Sequence, residues 1–70
     1  MTFEQQVMVS VSPLLNTGDA EFYNGSLFLE NTDKVQAENI LFELNKRFGE
    51  IYGFIFTEYP GINGFVIDFR

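Results

Sequence analysis

One stretch of this chain constrains the fold more than any other. Between Thr32 and Phe48 the apolar residues return with a helical period, while the sequence on either side alternates with a period near two. Ala37, Ile40, Leu41, Leu44 and Phe48 fall on one stripe at 100° per residue, and Glu38, Asn39, Glu43, Lys46 and Arg47 form the wet side. Asn31-Thr32-Asp33 offers side-chain acceptors for the orphan N–H groups of a first turn, and Asp33 with Gln36 three residues on resembles a capping box. Gly49 supplies a stop in the left-handed cap conformation. Lys46 and Arg47 close the helix with charge that complements its dipole.

The flanking segments read as strands. Val7, Val9 and Val11 alternate with Met8, Ser10 and Ser12, which predicts a strand over residues 5–12 with the valines inward, ended by Pro13. Leu14 and Leu15 then plug one end of the core before a turn at Asn16-Thr17-Gly18-Asp19. A second extended region runs from Ala20 to Glu30. Asn24-Gly25 within it marks either a hairpin turn or a glycine bulge, and the bulge is preferred. After the helix, Glu50 to Glu58 and Gly64 to Arg70 form an antiparallel hairpin around Tyr59-Pro60-Gly61-Ile62-Asn63. Pairing Phe56 with Phe65 sets Phe54 opposite Ile67 and Tyr52 opposite Phe69, and a register shift of two residues keeps all six on one face.

The predicted class is therefore α+β, in the order β-β-α-β-β, with an antiparallel sheet of about four strands and one helix on one face. A single domain over residues 1–70 is expected. A chain of 70 residues leaves much of its surface wet and needs dense packing or oligomerisation if no staple is present. With no cysteine and no histidine, disulfides and the usual zinc sites are excluded. Nine of the twelve aromatic residues are Phe, so dense ring packing is the visible solution.

Composition also narrows function. The formal charge is −6, with only Lys34, Lys46, Arg47 and Arg70 as cations, which argues against nucleic acid and against an acidic membrane surface as partners. Lack of histidine and cysteine removes the commonest general base and the best nucleophile, and no pair of the ten carboxylates has a defensible catalytic spacing, so no enzyme activity and no cofactor is expected. No stretch has the length and apolarity of a membrane span, and Met1-Thr2-Phe3-Glu4 lacks the basic start and apolar centre of an export signal. The expected location is the cytoplasm, or a host cytoplasm if the chain is virus-encoded.

What remains is binding. Val35 and Phe42 lie on one line among the polar residues of the helix, where either a loop or terminal segment covers them or they form a contact ridge. Tyr59 and Ile62 sit in a proline-stiffened tip. Phe28, Ile55 and Val66, with Met8 and Ile51, fall on the sheet face turned away from the helix. These residues are the candidate partner-binding set, for another protein or for a second copy in a homodimer. The leading reading is a small protein-binding module that occupies a surface of its partner. The alternatives are an acidic inhibitor that imitates nucleic acid, using a carboxylate row begun by Glu30, Asp33, Glu38 and Glu43, and a structural subunit of a larger assembly.

Overall fold

The structure is a computed structural model that describes residues 1–70. It contains helix α1 (Phe3–Val11), a single 3-10 turn at Ser12–Leu14, strands β1 (Asp19–Tyr23) and β2 (Ser26–Glu30), helix α2 (Lys34–Phe48), strand β3 (Phe54–Tyr59), a second 3-10 turn at Pro60–Ile62, and strand β4 (Gly64–Phe69). The class is α+β, as expected, and the four strands form one antiparallel sheet in the order β1-β2-β4-β3. Each half of the chain runs helix, strand, strand. The two hairpins meet through their second strands, β2 and β4.

The first element corrects the sequence reading. Residues 5–12 are not a strand; they belong to α1, so the order is α-β-β-α-β-β and two helices cover the sheet. A reciprocal cap starts α1: Thr2 Oγ1 accepts from the Gln5 N–H at 3.1 Å, and Gln5 Oε1 accepts from the Thr2 N–H at 2.9 Å. Val7 and Val11, one helical turn apart, are fully buried with Ser10 between them, whereas Val9 is 58% exposed. The alternating valines thus mask a helical stripe, and burial of that stripe overrides their strand preference. Ser10 and Ser12 donate to the carbonyls of Gln6 and Met8, which absorbs their hydroxyls inside the helix. Pro13 ends the element as expected, but by opening the 3-10 turn. Met8 packs against the core and is no part of the outer sheet face.

The second correction concerns Asn24-Gly25. They form a two-residue hairpin turn, with φ of 54° and 82°, between the paired Tyr23 and Ser26. Two successive residues in the left-handed region make the tight turn that matches strand twist, so no bulge is needed.

Helix α2 follows its expected stripe: Ala37, Ile40 and Leu44 are buried, and Leu41 and Phe48 pack against them. Asp33 caps it, accepting from the Gln36 N–H at 2.7 Å. Gly49 is the exception. Its φ is −66°, so the helix ends in an ordinary right-handed turn, with Ile51 and Tyr52 N–H donating to the Phe48 carbonyl. The β3–β4 register pairs Phe56 with Ile67, two residues from the trial alignment, and face assignment survives the shift. Phe54, Phe56, Phe65, Ile67 and Phe69 all face the helices, where Phe56 and Phe65 stack at 5.1 Å.

The core between the layers comprises Val7, Val11, Leu27, Leu29, Ala37, Ile40, Leu44, Phe65 and Ile67. At one end Phe3 meets Phe22, Phe48, Tyr52 and Phe69, with ring centroids 5.0–5.8 Å apart. This ring cluster fastens α1 to the sheet. No helix is long and apolar enough to cross a membrane.

Candidate binding surface

Both helices lie on one side of the sheet, so its other face is bare. Registers place twelve residues on that face in three rows of four. The central row is Glu21, Phe28, Val66 and Thr57. One flanking row is Tyr23, Ser26, Asp68 and Ile55. On the other side Asp19 faces Glu30, and Gly64, close against Glu30, faces Tyr59. Outward positions of a solvated antiparallel sheet are normally polar. Here Phe28 and Val66 form a cross-strand pair at the centre, and Val66 is only 4% exposed because its neighbours crowd it. Tyr23, Ile55 and Tyr59 stand around them at 60%, 44% and 50% exposure.

The rim is acidic. Asp19, Glu21, Glu30 and Asp68 share the face, no lysine does, and Arg70 lies at the corner beside Gly53. Asp19 directly opposes Glu30, an arrangement that costs stability in a strand pair. Asp68 is partly satisfied, since Ser26 Oγ donates to it.

The structure brings together Phe28, Ile55, Val66 and Tyr59 from the candidate set. It sets Val35 and Phe42 on the opposite side of the molecule, on the outward ridge of α2, where they are 68% and 71% exposed. No loop or terminal segment covers them. Ile62 is half-buried, and its carbonyl accepts from the Asn31 N–H at 3.4 Å. Thr32 N–H likewise donates to the Asn63 carbonyl at 3.3 Å, so the 59–63 tip is tied to the start of α2 and does not project freely.

Sequence reasoning missed Tyr23, which the hairpin turn turns outward beside Glu21; taking Asn24-Gly25 as a two-residue turn would have found it. It also missed Gln36, whose buried amide leaves the helix and binds the loop before β1. The carboxylates expected in one row are dispersed. Glu30 is on the sheet face, Asp33 is spent as a cap, Glu38 lies on another side of α2, and Glu43 is paired with Arg47 at 2.5 Å. No group of three metal-ligating side chains comes together. No protein-family model, curated protein or solved structure matches the chain.

Proposed function

We infer that this chain is a non-enzymatic protein-binding module that docks through the bare face of its sheet onto an apolar, positively charged surface of another protein. One observation carries this reading: an apolar centre of Phe28 and Val66, flanked by Tyr23, Ile55 and Tyr59, is bordered on the β1–β2 side by carboxylates, on a face without a lysine. Burying the exposed parts of Phe28, Tyr23, Ile55 and Tyr59 supplies the free energy, at roughly 25 cal/mol per Å² removed from water. The rim selects the sign of the partner and speeds encounter. Tyrosines at the border suit such a surface, since each buries a ring and keeps a hydroxyl for a polar contact.

A photo-crosslinking amino acid tests it, placed singly at Phe28, Ile55, Tyr59 or Phe42 in cells that produce the protein. The expected result is an adduct with one other protein from the three sheet positions, beside any adduct between copies at Ile55, and none from Phe42. Adducts from Phe42 alone would move the interface to the helix ridge and overturn the assignment.

A second reading has one observation in its favour. Asp19, Glu21 and Glu30 gather at one corner of the bare face, as an acidic inhibitor imitating nucleic acid would require. The two readings differ in salt dependence: mimicry loses affinity steeply as salt rises, whereas an apolar contact with an acidic rim loses only part of it.

A further inference from the structure

The edge strands of the sheet are β1 and β3, and only one is guarded. Strand β1 carries Asp19 and Glu21, charges of the kind that discourage edge pairing. Strand β3 reads Phe-Ile-Phe-Thr-Glu-Tyr, with its single charge near the far end. Gly53 and Arg70 exchange both backbone bonds, at 2.8 and 2.9 Å. Antiparallel alternation then makes Ile55–Asp68 and Thr57–Val66 bonded pairs, and turns the N–H and C=O groups of Phe54, Phe56 and Glu58 to the free edge. The helix backbones approach β1 and β4 rather than β3. Phe54 and Phe56 consequently remain half-buried although they are on the roofed side, and Ile55 is 44% exposed below.

We propose that the free edge of β3 pairs with β3 of a second copy, antiparallel about a two-fold axis, with Ile55 facing Ile55 and Phe54 facing Phe56. In this register each Phe54 exchanges both backbone bonds with Phe56 of the second copy. Their rings meet on the roofed side and cover each other's exposed part, while the two Ile55 side chains meet on the bare side. Charge favours the same alignment. Centring the pair on Glu58 would oppose two carboxylates and bring Pro60, which has no N–H, into the ladder. Centring it on Phe56 would set Phe54 against Glu58. The Ile55 register sets apolar against apolar and keeps the Glu58 carboxylates far apart. The product is one continuous sheet, with the bare faces of both copies on the same side. This pairing uses the strand edge and does not depend on the protein-binding reading.

The test uses mass and register together. The chain has no cysteine, so a single introduced thiol reports one position. In Ile55→Cys the two thiols face each other across the axis in a non-hydrogen-bonded pair, with Cβ atoms about 4.5–5.5 Å apart, within reach of a disulfide. In Thr57→Cys they are displaced by four residues, roughly 13 Å. Light scattering after size exclusion should show a doubled mass for the unmodified chain that halves on dilution. Because each copy carries −6, added salt should tighten the dimer, opposite to its effect on an acidic rim meeting a basic partner. Under mild oxidation Ile55→Cys should cross-link about ten-fold faster than Thr57→Cys. A monomeric mass at every concentration overturns the proposal, as do equal rates at the two positions. A photo-crosslinker at Glu58 that captures only other proteins in producing cells gives the edge a different occupant and overturns it too.

Discussion

The side-chain amide of Gln36 pairs with the backbone of Thr17 in both directions: Nε2 donates to the Thr17 carbonyl at 2.9 Å, and Oε1 accepts from the Thr17 N–H at 3.3 Å. The same oxygen accepts from the Asn16 N–H at 2.8 Å. A residue of the first turn of α2 thereby holds the loop that delivers the chain into β1. Gln36→Ala should cost about 1–3 kcal/mol in urea unfolding, because the loop's polar groups lose their partner in a half-buried place. Gln36→Glu should fare no better at neutral pH. It keeps the acceptor but sets a carboxylate against the Thr17 carbonyl. Faster amide exchange confined to residues 15–18 would locate the effect.

Phe3 joins α1 to the sheet through the rings of Phe22 and Phe69, and to the end of α2 through those of Phe48 and Tyr52. Phe3→Ala should destabilise by about 3 kcal/mol, near the lower end for a deleted core ring since the site is only partly buried. Phe42→Asp, on the outward ridge of α2, should leave thermal stability within about 0.5 kcal/mol. The contrast separates a ring that holds the fold from one that does not, and calorimetry of both variants checks it.

Two glycines should respond differently to alanine. Gly64 starts β4 so close to β2 that an added Cβ would run into the Leu29 carbonyl. Gly64→Ala should cost about 3 kcal/mol and disturb the β2–β4 pairing, seen in the amide spectrum of Leu27 to Glu30. Gly25 has open space around its Cα but a φ of 82°. Gly25→Ala should cost about 1 kcal/mol, from backbone strain alone.

The Arg47 guanidinium hydrogen-bonds Glu43 and holds its carboxyl below the ordinary carboxylate range, helped by the charges of Arg47 and Lys46. A folded value below the unfolded one means the contribution is present above the unfolded titration and lost as pH falls through the folded one. Arg47→Ala should raise the Glu43 midpoint in a carbon-detected titration. The change in global stability should be small, because the pair is on an exposed helix face.

How much of this was legible in the sequence depends on which signal competed. The α2 stripe, the Tyr59–Asn63 turn and the inward faces of β3 and β4 could be read because period and turn chemistry agreed there. Parity protected the hairpin faces even though the register was off by two. The first helix was obscured because valines at every second position satisfy a strand pattern, while Val7 and Val11 also satisfy a helical one. The deciding signal was Thr2 with Gln5, a cap that only a helix uses. The bare face was half visible. Phe28, Ile55 and Val66 were assigned to it from alternation, but their grouping needed the order β1-β2-β4-β3, which depends on long-range pairing that no local pattern encodes.

That strand order also bears on synthesis. The sheet's interior contact joins β2, complete by Glu30, to β4, which ends at Phe69. At about 5–20 residues per second, a growing chain spends several seconds with Leu27 and Leu29 made and their partners Ile67 and Phe65 still to come. The sheet cannot close before β4 is made. A chain cut short within β4 should therefore leave a sticky β1–β2 hairpin whose inner strand lacks its partner.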